Sequence, residues 1–396
     1  MINERNEQLG KQASVIRTLF EIARMRKEEI GEDKVFDFSI GNPSVDAPSI
    51  VKDSLIKLIN ETEPSTLHAY TSSSGDTSVK KAISKYLNET YNASTNPNLI
   101  YMTCGAAASL AITFHALINQ GDEAIILKPY FPEYKVFLEE ANAKVVEVNT
   151  NDKMHLDVNE IDANINEFTK LIIINSPNNP SGVVYEEDEI ISLSALLKKK
   201  EEEYHHPIYL VSDEPYRELI YIDIKYPFVT NYYDDSIICY SFSKSLSLPG
   251  ERIGYILVSN TCFEKEKVYN AILGAGRSIG YVCAPVLFQK LVPYCLGYTA
   301  DLNVYKQNLK DLSEMLENIG YTVVKPYGAF YLFVKALEED DNNFSKNASL
   351  YNLFLVPSSS FGLKGYVRIA YCVKNSQIKA SKKAFTDLYN FYKEEK

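Results

Sequence analysis

With 396 residues, the chain is too long for one comfortable hydrophobic core, so we expect two domains, or one large domain with an extension. Its 41 basic and 52 acidic residues give a formal net charge of −11, which argues against nucleic acid or an anionic membrane as the main partner. The six cysteines stand singly, without any CxxC pair, so their spacing indicates neither a zinc cage nor a disulfide framework.

The N-terminal stretch MINERNEQLGKQ is polar and charged, unlike a signal peptide. No apolar run in the sequence approaches the roughly 18–20 residues that a membrane-spanning helix needs. We therefore expect a protein of the reducing cytoplasm, with no membrane partner and with its cysteines as buried free thiols. The segment that follows, residues 14–30, has a helix-like pattern.

From about residue 68 to 260, short apolar runs alternate with amphipathic segments. The runs that indicate buried strands are LIYMT (99–103), EAIILK, AKVVEV, KLIIIN (170–175), PIYLVSD, SIICYSF and RIGYILVS. Helical spacing appears between them in SLAITFHALIN, PEYKVFLEEAN and EEDEIISLSALLKKKEEE. Continuous apolar strands separated by helices predict an α/β domain, in which helices flank both faces of a mainly parallel central sheet.

After about residue 296 the pattern changes to a long polar helical region, followed by YTVVKP, GAFYLFV and GYVRIAYC and a charged terminal helix. This order predicts a smaller α+β domain. We expect residues 1–48 to form an N-terminal segment that is part of the small domain, residues 49–295 the large domain, and residues 296–396 the small C-terminal domain.

Unusual residues stand where four of the predicted strands end. CGAAAS follows LIYMT, NSPNNPSG follows KLIIIN, SDEPY contains the end of PIYLVSD, and SFSK follows SIICY. Each motif by itself has an ordinary structural explanation, as a turn, a helix cap or a surface lysine. Together the four motifs indicate a ligand-binding site, because ligands of open α/β sheets bind beyond the carboxyl ends of the strands.

Together these motifs resemble the active site of fold-type I pyridoxal-phosphate (PLP) aminotransferases, the class I/II family of the aspartate and aromatic aminotransferases. The resemblance covers nearly the whole chain in the same order. It starts at SIGNPS (39–44) and HAYTSSSGDTSVKKAI (68–83) and continues through TCGAAAS, PYFPEY, NSPNNPSG, SDEPY and SFSKSLSLPGERIGY. It closes with YGAFYLF (327–333) and YVRIAYC (366–372).

The resemblance implies a role for each residue that faces the cofactor ring. Lys244 is the amine that holds the aldehyde of PLP and, once released, the base for the substrate Cα proton. Asp213 is the carboxylate opposite the protonated pyridine nitrogen. Asn179 and Tyr216 hydrogen-bond the phenolic oxygen of the ring, and Phe131 stacks on its face, where many relatives have Trp.

The phosphate group needs backbone N–H groups at a helix start, hydroxyls and a cation. The residues that match these positions in the family are Gly105, Ala106, Ala107, Ser241, Ser243 and Arg252. Relatives often have Ser or Thr in place of Ala107, so one side-chain hydroxyl is missing here. Tyr70 matches a tyrosine that reaches the phosphate from the neighbouring subunit, which implies a homodimer with shared active sites.

Substrate binding is implied in the same way. Arg368 matches the arginine that grips the α-carboxylate, for which a planar bidentate donor is suited. Gly41 and Asn42 match the segment that closes over this carboxylate, and Asn179 also faces the substrate. Arg277 lies where relatives have a loop near the substrate side chain, and we hypothesise that it binds a distal carboxylate; a solvated or interdomain arginine is the alternative.

These matches predict a PLP-dependent aminotransferase without a metal. It would move an amino group from an L-amino acid, aspartate before aromatic donors, to a 2-oxo acid such as 2-oxoglutarate, in a ping-pong reaction. The same fold and lysine also serve carbon–sulfur β-lyases, which remain the alternative, with aspartate decarboxylation a more distant one. A DNA-binding regulator is disfavoured, because about 40 residues precede the first motif and the chain is acidic.

Overall fold

The computed structural model describes residues 2–11 and 14–394. Outside the described part lie residues 1, 12, 13, 395 and 396. The start of the predicted N-terminal segment and the end of the predicted small domain are among them. The strands are β1 (Phe36–Asp37), β2 (Ile100–Thr103), β3 (Glu123–Lys128), β4 (Lys144–Asn149), β5 (Thr169–Asn175), β6 (Tyr209–Asp213), β7 (Ser236–Ser241), β8 (Gly254–Val258), β9 (Val323–Val324), β10 (Tyr331–Lys335), β11 (Leu353–Phe354), β12 (Val356–Pro357) and β13 (Tyr366–Ala370).

The helices alternate with these strands along most of the chain. They are α1 (Glu4–Lys11), α2 (Val15–Ile30), α3 (Ser49–Glu61), α4 (Pro64–Leu67), α5 (Thr77–Tyr91), α6 (Ala106–Leu117), α7 (Glu133–Glu140), α8 (Val158–Asn164), α9 (Glu187–Tyr204), α10 (Phe242–Ser245), α11 (Lys265–Ser278), α12 (Val286–Cys295), α13 (Leu302–Ile319), α14 (Asp341–Leu350), α15 (Asn375–Ala380) and α16 (Lys382–Glu394).

Seven strands form the central sheet, in the order β2-β8-β7-β6-β5-β3-β4. Strands β4, β3, β5, β6 and β7 run parallel, and β8 is antiparallel to both of its neighbours. The predicted α/β fold with a mainly parallel sheet is therefore confirmed. Between β7 and the reversed strand β8 the chain forms only the short α10 and a 3-10 turn, without the longer helix that usually makes a parallel crossover.

Both faces of this sheet are buried, as the continuous apolar runs predict. Along β5, Ile172 and Ile174 belong to one buried cluster, whereas Leu171 and Ile173 belong to another. Successive side chains of a strand point to opposite faces, so an all-apolar strand supplies two cores at once. The same run brings the polar ends of β5, β6 and β7 to one edge, where Asn175 pairs with Asp213 in register.

A second, four-stranded antiparallel sheet has the order β12-β13-β10-β9 and its own buried cluster. The N-terminal strand β1 pairs in parallel with β11, through Phe36 opposite Leu353. These pairings join the segment before residue 48 to the C-terminal part of the chain. The domain boundaries at 48 and 295 stay a prediction.

All six cysteines are free thiols, four of them buried. Among the helices of the described part, none has both the length and the apolar character that crossing a bilayer requires. Within the same residues, no three His, Cys, Asp or Glu side chains are grouped so that they could hold a metal ion.

Candidate active site

A cavity of about 290 Å³ lies at the carboxyl ends of β5, β6 and β7 and beside the start of α6. Most of the predicted site residues line it: Gly41, Ala106, Ala107, Phe131, Asn179, Asp213, Tyr216, Ser241, Ser243, Lys244, Arg252 and Arg368. These residues come from distant parts of the chain, and the fold brings their side chains together around one cavity.

Lys244 lies in the short helix α10, which begins directly after β7 with Ser241 as its N-cap. Its Nζ donates a 2.8 Å hydrogen bond to the carbonyl oxygen of Gly41 and lies 5.5 Å from the ring centre of Phe330. Burial, together with the positive charges of Arg252 and Arg368, lowers the pKa of Lys244 to about 8. Near pH 8 the amine is thus divided between its charged and neutral forms.

Asp213 ends strand β6 and is only 4% exposed. Its Oδ2 accepts a 2.5 Å hydrogen bond from the hydroxyl of Tyr134, whereas Oδ1 is buried and has no hydrogen-bond partner in the described chain. Burial raises the pKa of Asp213 to about 7, against the lowering effect of the Tyr134 hydrogen bond. A buried carboxylate oxygen without a partner is costly unless a ligand supplies a donor or a positive charge.

Three predicted ring contacts line the cavity around Asp213. The hydroxyls of Tyr216 and Tyr331 are 2.9 Å apart and buried. The backbone N–H of Asn179 donates to Oδ1 of Asn175 over 2.7 Å, which fixes the loop that follows β5. Phe131 is partly buried and meets the ring of Tyr134 edge to face.

An anion-binding end is formed where α6 begins. Gly105 is the N-cap residue, with φ of +88° and no side-chain cap, so the first N–H groups of the helix are available. A Cβ atom at Gly105 would lie 2.7 Å from Nη2 of Arg252, so glycine allows this arginine to approach the helix start. The Oγ atoms of Ser241 and Ser243 are 2.6 Å apart in the same cavity.

Arg368 lies in strand β13 and forms a second positively charged end of the cavity; the residue is only 2% exposed. Nη1 donates to Oδ1 of Asn179 over 3.1 Å, and Nη2 donates to the carbonyl oxygen of Ser39 over 2.5 Å. Its Nε is buried without a partner in the described residues. Burial lowers the pKa of Arg368, but a guanidinium keeps its charge at ordinary pH, so this end attracts a carboxylate.

Four residues that the sequence singled out do not line this cavity. Gly105 lies behind it, against Arg252. Asn42 and Arg277 are exposed, the latter in the last turn of α11. Tyr70 is 95% exposed and does not line the cavity of its own subunit. Its predicted role requires a second subunit and stays a prediction.

Several lining residues were not assigned by sequence reasoning. Tyr331 lines the cavity, whereas Tyr134 does not line it but donates to the lining residue Asp213. Both stand inside the quoted motifs, PYFPEY and YGAFYLF, which by themselves indicate no role for either tyrosine. Ile16, from helix α2, lines the cavity without any motif around it. Only the packing of α2 against the rest of the chain brings it there.

Comparisons with known proteins agree with this geometry. Residues 33–384 match the family described as aminotransferase class I and II. A crystal structure of an aminotransferase from Eubacterium rectale is 50% identical to this chain, covers 99% of both chains and has a TM-score of 0.97. A probable aspartate aminotransferase of Methanocaldococcus jannaschii is 28% identical over 92% of this chain and 94% of its own. A probable N-acetyl-LL-diaminopimelate aminotransferase of Bacillus subtilis is 30% identical over 86% and 85%.

Proposed function

Because this chain belongs to the class I and II aminotransferase family, we propose that it transfers an amino group from an L-amino acid to a 2-oxo acid such as 2-oxoglutarate. The enzyme is a PLP-dependent transaminase by its family and relatives. The finer proposal is that aspartate is the favoured donor, ahead of aromatic amino acids, and that the two half-reactions follow a ping-pong order. The name of the Methanocaldococcus relative supports aspartate.

The single observation that carries the proposal is the triangle of Asp213, Lys244 and Arg368 around one cavity. Asp213 offers a carboxylate oxygen and Arg368 a guanidinium nitrogen, neither of which has a partner among the described residues, and Lys244 offers an amine whose pKa burial lowers. A ligand that fits must offer a cationic N–H, an amine-reactive carbon and a carboxylate. PLP together with an amino acid offers all three, and the cradle at Gly105 suits its phosphate.

The residues that would hold PLP follow from this fit. Its phosphate would lie against Gly105, Ala106, Ala107, Ser241, Ser243 and Arg252, and its ring between Phe131, Asp213, Asn179 and Tyr216. When bound, PLP supplies an aldehyde that takes up amines and a ring that accepts the electron pair released from the substrate Cα. The protein then has to hold the ring, position the substrate and move one proton.

Lys244 is the group that moves the proton. Its amine is close to half neutral at pH 8, because its pKa is about 8, and a neutral amine accepts a proton from the substrate Cα. The short α10 holds it at the end of β7, and the carbonyl of Gly41 accepts its hydrogen bond. The same Nζ would then give this proton to the carbon that carries the transferred amino group.

Arg368 is the group that binds the substrate α-carboxylate. Within the described part of the chain its Nε has no partner, and hydrogen bonds to Asn179 and to the Ser39 carbonyl orient Nη1 and Nη2. A planar guanidinium held in this way presents paired donors to a carboxylate without further ordering cost. The segment that contains Gly41 and Asn42 would close over the bound carboxylate.

We also propose a cytoplasmic homodimer in which Tyr70 of each subunit serves the other subunit's site. The exposure of Tyr70 supports this, since a tyrosine 95% exposed on one subunit is available to a second copy. We further propose the division into an N-terminal segment (1–48), a large domain (49–295) and a small C-terminal domain (296–396). The carbon–sulfur lyase alternative is not favoured, because the relatives are named aminotransferases.

A half-reaction screen tests the proposal. Holoenzyme is mixed with each common amino acid without an acceptor, and the absorbance of the bound cofactor is followed. Transfer predicts a single conversion to the aminated cofactor with one equivalent of oxo acid, fastest for aspartate, and restoration by 2-oxoglutarate. Lys244→Ala should lose the conversion. An unchanged spectrum with continuing ammonia release would overturn transfer in favour of elimination.

A further inference from the structure

Tyr331 lies in the cavity between two residues with assigned roles, Tyr216 and Arg368. It is the first residue of β10, is 3% exposed, and lines the cavity. The register of β10 and β13 pairs Phe333 with Arg368, so Tyr331, two residues earlier, lies on the same face as Arg368 and diagonal to it. Its position is thus fixed by the sheet rather than by a loop.

The hydroxyl of Tyr331 contacts Tyr216. The two oxygens are 2.9 Å apart, and the rings meet edge to face with centres 5.7 Å apart. Burial raises the pKa of both phenols, so both hydroxyls keep their single proton. If Tyr331 donates to Tyr216, the proton of Tyr216 is free to point into the cavity. If Tyr216 instead donates to Tyr331, the proton of Tyr216 is engaged in that hydrogen bond and does not point into the cavity.

The ring of Tyr331 contacts Arg368. The guanidinium carbon lies 4.5 Å from the ring centre of Tyr331 and 5.0 Å from that of Phe361. Contact with aromatic faces stabilises the charge of a guanidinium and leaves its N–H donors, which lie in its plane, available to other partners. The aromatic contact therefore holds the plane of Arg368 while its donors meet Asn179 and Ser39.

The space around the Tyr331 hydroxyl also explains Gly41. A Cβ atom at Gly41 would overlap this hydroxyl, so only glycine lets the segment that accepts the Lys244 hydrogen bond pass here. One side chain thus contacts Tyr216 and Arg368 and lies against Gly41, whose carbonyl accepts from Lys244. No role had been assigned to it from the sequence motif.

We propose that Tyr331 is a positioning residue with two separable functions, which rest on the proposed aminotransferase activity. Its hydroxyl directs the proton of Tyr216 towards the cofactor oxygen, and its ring holds the plane of Arg368 for the substrate α-carboxylate. The two functions belong to different atoms of one side chain. Tyr331→Phe removes the first and keeps the second, whereas Tyr331→Leu removes both.

The test uses holoenzyme and single-turnover kinetics with L-aspartate, or with the fastest donor of the wild-type enzyme if aspartate does not react. The dependence of the rate on donor concentration gives the donor Kd and the limiting rate separately. A second readout is the pH titration of the cofactor absorbance without substrate. The matched control is Tyr321→Phe, which removes an equally buried hydroxyl that donates to the carbonyl of Phe385, outside the cavity.

We expect Tyr331→Phe to lower the limiting rate by about fivefold or more and to move the absorbance midpoint to higher pH, because the cofactor oxygen loses an oriented donor. Its donor Kd should stay within about twofold of wild type. Tyr331→Leu should in addition raise the donor Kd by about tenfold. Tyr321→Phe should change none of these.

Other outcomes overturn the inference. An unshifted midpoint and limiting rate in Tyr331→Phe would remove the role in directing Tyr216. An unchanged donor Kd in Tyr331→Leu would remove the role in holding Arg368. Equal effects of Tyr331→Phe and Tyr321→Phe would mean that only general stability is involved. A wild-type enzyme that takes up no cofactor would overturn the proposed function itself, a result distinct from these.

Discussion

The hydroxyl of Tyr134 donates a 2.5 Å hydrogen bond to Oδ2 of Asp213, across 79 residues of sequence. Both side chains are buried, and the other carboxylate oxygen, Oδ1, has no partner in the described residues. The bond opposes the effect of burial, which raises the pKa of Asp213 to about 7. Tyr134 thus keeps more of this carboxyl ionised at neutral pH than burial alone would allow.

Replacing Tyr134 with Phe should therefore weaken PLP binding in a pH-dependent manner. A hydrogen bond to a charged group contributes roughly 1.5–3 kcal/mol, so its loss should raise the pKa of Asp213 by about one unit or more. The Kd of PLP, measured from pH 6 to 9, should rise most at pH 6 and approach wild type near pH 9. A loss that is equal at every pH would indicate a packing defect instead.

The stability of the cofactor-free protein should also depend on Asp213. Because its folded pKa of about 7 lies above the ordinary value near 3.9, the folded state binds this proton more tightly. The resulting stabilisation is fully present below the unfolded pKa and is lost as the pH rises through about 7. Asp213→Asn should thus be more stable than wild type at pH 8, by an amount on the order of a few kcal/mol.

Urea unfolding of both cofactor-free proteins at pH 5 and pH 8 checks this expectation. The difference in free energy of unfolding should be larger at pH 8 and should shrink towards pH 5, where more of the carboxyl is protonated. Comparing the two proteins at each pH removes the contribution of the other titrating groups. The same difference at both values would contradict the raised pKa.

Gly105→Ala should weaken the binding of PLP at its phosphate end. The new Cβ would lie 2.7 Å from Nη2 of Arg252 and displace the guanidinium from the start of α6. Gly121→Ala is the matched control, since Gly121 also has a positive φ, of +99°, but no atom within 4 Å of a new Cβ. Both changes place an L side chain at a positive φ, which carries a backbone cost on the order of 1 kcal/mol or more.

Fluorescence titrations with PLP and with pyridoxal, which lacks the phosphate, separate the two effects. Gly105→Ala should raise the Kd of PLP by about tenfold or more and leave that of pyridoxal close to wild type. Gly121→Ala should leave both unchanged. An equal loss for both ligands would mean that Gly105 acts on the ring or on folding and not on the phosphate.

Asp37 should influence substrate binding through Ser39. Its Oδ1 accepts from the N–H of Ser39 at 3.1 Å and from its Oγ at 2.6 Å, and the carbonyl of Ser39 accepts from Arg368. Asp37→Ala should raise the donor KM by about tenfold with little change in kcat, because the carbonyl that turns Arg368 loses its support. Asp37→Asn keeps an acceptor and should recover most of this affinity.

Steady-state kinetics of both variants, with Lys27→Met as control, checks this expectation. Lys27 donates to the other oxygen, Oδ2, at 3.2 Å, so its loss leaves the bonds to Ser39 in place. Its donor KM should stay near wild type. If Asp37→Ala lowered kcat and left KM unchanged, the link to Arg368 would be wrong.

Mixing two inactive variants tests whether Tyr70 serves the other subunit's site. Tyr70→Ala and Lys244→Ala each impair every site of their own homodimers, but a mixed dimer would contain one site with both native residues. Random mixing after mild denaturation should thus recover about a quarter of wild-type activity if the enzyme is a symmetric dimer. Recovery no greater than the average of the separate variants would place Tyr70 outside a shared site.

The sequence by itself determined the family and the architecture. The continuous apolar strands predicted a mainly parallel sheet, and the motifs at their ends carried the resemblance; the fold and the family are both confirmed. These features are local, because a strand pattern or a motif such as SFSK is written in consecutive residues. The same motifs brought most of the site residues to attention, and the structure places them around one cavity.

Only the tertiary structure decided which side chains act on one another. The bond of Tyr134 to Asp213, the contacts of Tyr331 with Tyr216 and Arg368, and the entry of Ile16 into the cavity join residues far apart in the chain. The pKa values of Asp213 and Lys244 are set chiefly by burial, which is a property of the packed molecule. A linear sequence specifies which groups are present, whereas desolvation and non-local packing decide their charge and direction.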